Sequence, residues 1–144
     1  MANSFISYFR SFIPGYRLID GGDLQTLVND IYSYQNGITA LAGSGLAGAP
    51  VLVNNYNQVD TVATTNDSIA LPPATPGFEL CINNNGANTL AVFGSYNPAN
   101  GATDTVLAAG SVGATGAASV TQASGKYTIY SCFKAGVWKQ MISG

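Results

Sequence analysis

The chain has 144 residues, the size of one ordinary domain with an arm or extension. Charged residues make up 8% of it and the net charge is −2, against roughly 25% charged in a typical soluble domain. With hydrophobic residues at 47%, intrinsic disorder is excluded, since it goes with low hydrophobicity and high net charge.

The surface must therefore be wetted by amides, hydroxyls and backbone. Arg10, Arg17, Lys126, Lys134 and Lys139 are scattered and form no basic stripe, which argues against nucleic acid as a partner. No apolar run approaches the roughly 18 residues of a membrane span. Met1 to Arg10 lacks the order of a signal peptide, its arginine following the aromatics, so the chain is expected to stay in the cytoplasm where it is made.

Residues 1–22 read as an aromatic arm ending in Pro14-Gly15 and Gly21-Gly22. Phe5, Phe9 and Phe12 share one helical face with Tyr8 beside them. The arm either packs on its own domain or anchors the chain to a partner, because so apolar a segment needs a surface to cover. Residues 23–41 are predicted to be one short helix, with Asp23 as N-cap and Gly37 beyond an end near Asn36. Leu24, Leu27, Ile31, Tyr34, Ile38 and Leu41 follow alternating three- and four-residue steps, the a and d positions of a heptad seam. That face lies on the chain's own sheet or forms an oligomer seam.

Residues 42–50 (AGSGLAGAP) are predicted to be a small-residue linker, and residues 51–144 a β-domain. Strands are expected at Val51 to Val53, Gln58 to Thr64, Ser119 to Gln122, Lys126 to Phe133 and Val137 to Ile142. Phe78, Leu80 and Ile82 alternate with polar neighbours, Leu90 and Val92 follow after the turn Asn83 to Asn88, and the two runs read as a hairpin. In the strand before Lys134-Ala135-Gly136, Tyr127, Ile129 and Phe133 fall in one phase. Pro72, Pro73 and Pro76 bar a central strand between Leu71 and Gly77. Short strands at this spacing predict a mainly β fold, a β-sandwich or β-barrel of jelly-roll type, preceded by the arm and the helix.

The chain has no histidine, which removes the commonest general base and transition-metal ligand. Its seven acidic residues form no short cluster, so no catalytic residue, metal site or cofactor is expected. Glu79 stands alone on its strand, and a glycosidase would need a second carboxylate, Asp67 or Asp104, facing it in space. The turn Asn83 to Asn88 has no carboxylate to hold calcium and reads as a turn rather than a sugar- or calcium-binding loop. Cys81 and Cys132 lie on different predicted strands. Free thiols are the default in a reducing compartment, with a bridge left open.

From Tyr16 to Trp138 the chain resembles a module of tailed-bacteriophage virion proteins, with YRLIDGGDL at its start. The match continues through Asp67, Ser68, Leu71, Pro72, Ala74, Gly77, Ile82, Asn83, Gly86, Ala87, Asn88, Leu90, Val92 and Phe93, and closes on Gly136 and Trp138. Two extra asparagines precede Gly86, and the arm before Tyr16 lies outside the pattern. The resemblance implies a non-enzymatic, late structural protein, a homotrimer on the virion. On this reading it is a capsid decoration or cement protein bound to the major capsid protein, with Phe5, Tyr8, Phe9 and Phe12 as anchors. The alternative is a short head or tail fibre subunit that touches a host surface glycan.

Overall fold

The computed structural model describes residues 33–99, 101–111 and 115–142. Backbone contacts divide the chain into residues 1–33 and 34–144. Phe5, Tyr8, Phe9 and Phe12 of the arm, and Leu24, Leu27 and Ile31 of the expected seam, lie outside the described residues. Among the described residues the chain is mainly β and contains no helix.

The strands are β1 (Tyr34–Thr39), β2 (Tyr56–Thr61), β3 (Asp67–Ala70), β4 (Glu79–Asn84), β5 (Leu90–Phe93), β6 (Tyr96–Asn97), β7 (Ala102–Thr103), β8 (Thr105–Leu107), β9 (Ser119–Gln122), β10 (Tyr127–Lys134) and β11 (Val137–Ile142). A six-stranded sheet runs β1-β2-β4-β10-β11-β8, a three-stranded sheet runs β3-β5-β9, and β6 pairs with β7. Both larger sheets are mixed: β1/β2, β2/β4, β11/β8 and β3/β5 are parallel, while β4/β10, β10/β11 and β5/β9 are antiparallel. The strands expected at Ser119 to Gln122 and Val137 to Ile142 are β9 and β11, and β10/β11 is a hairpin through Ala135 and Gly136, whose φ of 78° only glycine adopts readily. No strand forms across the proline segment.

Three expectations are corrected. The C-terminal part of the expected helix is β1, not helix, so Tyr34, Ile38 and Leu41 do not line up on a helical face. Tyr34 pairs with Tyr56 and is exposed, Ile38 pairs with Val59 and is buried, and a bulge around Gly37 (φ 71°) places the two on opposite faces. Tyr, Asn, Gly, Ile and Thr are weak helix formers, and pairing along β2 overrides their helical spacing.

The segment 42–50 is no free linker. Leu41 and Ser68 exchange backbone hydrogen bonds of 2.9 and 2.8 Å, and Ala70 bonds Pro50 and Leu52 at 2.9 Å each. Both ends of the segment are thereby fixed along β3, where they satisfy edge groups that would otherwise template aggregation.

The third correction concerns the expected hairpin. β4 lies between β2 and β10, whereas β5 lies between β3 and β9 in the other sheet. The intervening turn carries the chain across. Asn84 Nδ2 donates to Asn88 O (3.0 Å) and Gln122 O (3.1 Å), and Asn84 Oδ1 accepts from Gly86 N. A Cβ on Gly86 would sit 2.6 Å from Val62 Cγ2, so only glycine passes there.

Both sheets feed one hydrophobic cluster: Val59, Leu80, Ile82, Val106, Tyr130, Cys132 and Trp138 from the larger, Ile69, Leu90, Val92 and Val120 from the smaller. Fully burying such a side chain stabilises by roughly 1.5–3 kcal/mol each. The buried phase of β10 is Thr128, Tyr130 and Cys132; the Tyr127, Ile129, Phe133 phase faces outward. Cys81 and Cys132 are free thiols on opposite phases of the sheet.

Candidate functional site

The outer face of the six-stranded sheet is where exposed aromatic residues concentrate. Strand register places Tyr34, Tyr56, Cys81, Ile129 and Met141 in one continuous rung across β1, β2, β4, β10 and β11. A second rung holds Gln58, Asn83 and Tyr127, and a third Glu79, Ser131, Lys139 and Leu107. Directly opposed side chains on one face are within contact reach, so the rungs form a band of aromatic and amide groups carrying few charges. Phe78 and Phe133, also exposed, border a second depression of about 210 Å³ with Glu79 and Ser131.

The first depression lies at the tyrosine end of the band. Tyr34, Tyr56, Asn57, Gln58, Cys81, Asn83 and Tyr127 enclose about 270 Å³. Tyr34 is 59% exposed, Tyr56 42% and Tyr127 41%. The hydrogen bond between the Tyr127 phenol and the Cys81 thiol, with partial burial, pushes that phenol up to about 12. Asn83 Nδ2 donates to Gln58 Oε1 (3.3 Å), and Gln58 Nε2 donates to Asp60 Oδ1 (2.7 Å). Asp60 also accepts from Asn85 Nδ2 (2.9 Å) and from Gly37 N (2.7 Å). Those three donors, Asn85 first, hold the Asp60 carboxyl below its usual range. The amides are thus locked in orientation, and β1 is tied to β2 beside Tyr34.

The three carboxylates that a glycosidase would have needed are each hydrogen-bonded within the fold. Glu79 Oε1 accepts from Ser131 Oγ at 2.6 Å. Asp67 accepts from Thr64 Oγ1 (2.6 Å), Thr64 N (2.8 Å) and Gly43 N (3.0 Å), which lowers its pKa. Asp104 is buried and accepts from Ala74 N (2.5 Å) and Asn97 Nδ2. Among the described residues, no three His, Cys, Asp or Glu side chains gather as metal ligands. No helix of the described residues is long and apolar enough to cross a membrane.

The motif residues of the resemblance serve the scaffold. Ser68 Oγ donates to Gly45 O (2.6 Å), and Trp138 Nε1 donates to Pro72 O (3.0 Å). Asn88 Nδ2 donates to Val62 O and Ala63 O (2.9 Å each), while Leu71, Ile82, Leu90 and Val92 are core. Asn83, Asn84, Asn85 and Asn88 all donate their amides to groups within the fold. Sequence reasoning put Tyr127, Ile129 and Phe133 in one phase of β10 without giving it a face, and missed the partners Tyr56, Gln58 and Asn83, which only strand order brings together. No protein family, curated protein or solved structure matches the chain.

Proposed function

We propose that the chain is a non-enzymatic structural subunit of a tailed-phage virion, a capsid decoration protein that self-associates as a trimer and binds the major capsid protein. The observation that carries this reading is the outer sheet face. Tyr34, Tyr56, Tyr127, Phe133 and Met141 are all exposed there, with Glu79 and Lys139 as its charges among the registered rungs. Interface cores favour aromatics and Met and are depleted of charge, and a face of this size is a liability for a monomer alone in water. The two sheets sharing one cluster are read as the layers of a β-sandwich, although their parallel pairs depart from an antiparallel jelly roll. The motif positions supply scaffold rather than chemistry, in keeping with a structural role.

Localisation on intact particles tests the proposal. Immunogold or cryo-electron microscopy should find the chain at three-fold or quasi-three-fold positions of the head. Density confined to the tail would replace decoration with the fibre reading.

A further inference from the structure

We propose that the depression between Tyr34, Tyr56 and Tyr127 binds one ring of a neutral saccharide. The proposal takes the tyrosine end of the outer face as open to solvent, and so assigns the trimer and capsid contacts proposed above to its Phe133 and Met141 end.

The lining carries no charged side chain, which disfavours phosphate, uronate and ammonium groups. What remains is three phenol rings around a thiol and amides. Aromatic rings present flat apolar faces with a polar tip, suited to the C–H faces of a pyranose, whereas amides offer donors and acceptors together, as hydroxyls require. The space is below the roughly 300–1,000 Å³ of drug-sized sites, so it takes one ring of a longer chain.

One further feature points to a ligand. The amides are oriented in advance through the Asn83–Gln58–Asp60 relay, and pre-organisation lowers the cost of binding. A second copy of this chain is the rival occupant. It would cover the Phe78 and Phe133 end as well, whereas the amide relay is confined to the tyrosine end.

The test uses the full chain, isotopically labelled for NMR. The probes are soluble oligomers of glucose, galactose, rhamnose and N-acetylglucosamine, with oligogalacturonate as the charged comparison. At least one neutral oligomer should shift the signals of Tyr34, Tyr56, Gln58, Asn83 and Tyr127 saturably, and oligogalacturonate should not. Tyr56→Ala and Gln58→Ala should each weaken that binding at least tenfold, while Tyr96→Ala, on the separate β6–β7 pair, should leave it unchanged. No saturable shift with any neutral oligomer, or binding indifferent to both substitutions, overturns the proposal. So does a change in oligomeric mass on Tyr56→Ala with no saccharide bound, which would make the depression part of an interface between copies.

Discussion

The phenol of Tyr130, on β10 of the larger sheet, donates to Gln122 Oε1, on β9 of the smaller sheet, at 3.2 Å in the buried interior. Gln140 Nε2 on β11 donates back to the same phenol oxygen (3.2 Å) and to Thr121 O (3.0 Å). Gln122 Nε2 closes the network on Ile82 O (2.9 Å) and Lys126 O (2.7 Å). Burial raises the Tyr130 pKa far above the usual phenol range, so the group acts as a neutral donor throughout the working range. Tyr130→Phe keeps the ring but strands Gln122 Oε1, and urea denaturation should show a loss of about 1–3 kcal/mol. Tyr127→Phe, on the outer face, should stay within about 0.5 kcal/mol of the parent.

Acid should destabilise the β unit through Asp60 and Asp67. Both carboxyls are held below the ordinary value of 3.8 by their donors. A depressed folded pKa contributes stability that is fully present above the unfolded value and lost as pH falls through the folded one. The urea midpoint should therefore be level near neutrality and fall from about pH 5 downward. Asp67→Asn should lower the neutral plateau and flatten that fall. An unchanged acid limb would show that these carboxyls carry no linkage.

Gly86→Ala should cost about 1–3 kcal/mol as an overpacking change, because the added carbon would sit 2.6 Å from Val62 Cγ2 and 2.7 Å from Val62 N. Gly45→Ala, with nothing within 4 Å and no positive φ, is the neutral comparison. Thermal melts of the pair separate steric fit from a general effect of losing glycine.

Thiol chemistry distinguishes the two cysteines. Cys132 is 2% exposed, its thiol is pushed up by burial, and its Sγ lies 3.2 Å from Lys134 O. Cys81 is only partly covered, on the outer face. Since the thiolate is the reactive form, an aromatic disulfide reagent should titrate one thiol in the folded chain and two in denaturant. Two native equivalents would contradict the burial of Cys132, and no free thiol in denaturant would reveal a bridge.

The sequence disclosed β9, β11, the β10 turn and the proline break, because those signals are local: alternation, glycine at positive φ, a missing backbone donor. It failed where partners come from far along the chain. Asn83 to Asn88 has the composition of a hairpin turn, yet Asn84 bonds Gln122, thirty-eight residues on, and the strands part into different sheets. Tyr34 and Ile38 are spaced for a helix, but a bulge at Gly37 and pairing with Tyr56 and Val59 decide otherwise. The tyrosine depression was hidden for the same reason, since its rings come from β1, β2 and β10.

If the chain is the decoration protein proposed above, its arm is the proposed determinant of particle binding. Among the described residues the core cluster begins at Ile38, and the compact unit begins at Tyr34. A chain starting at Ser33 should therefore fold, with a melt as cooperative as the parent's. Phe5, Phe9 and Phe12, if each is buried on the capsid, contribute roughly 1.5–3 kcal/mol apiece before ordering costs, and trimerisation multiplies that through effective concentration. The shortened chain should lose co-sedimentation with stripped capsids while keeping its fold. Undiminished co-sedimentation would transfer the gripping role to the outer sheet face. Aggregation of the shortened chain would show instead that the aromatic arm covers its own β unit.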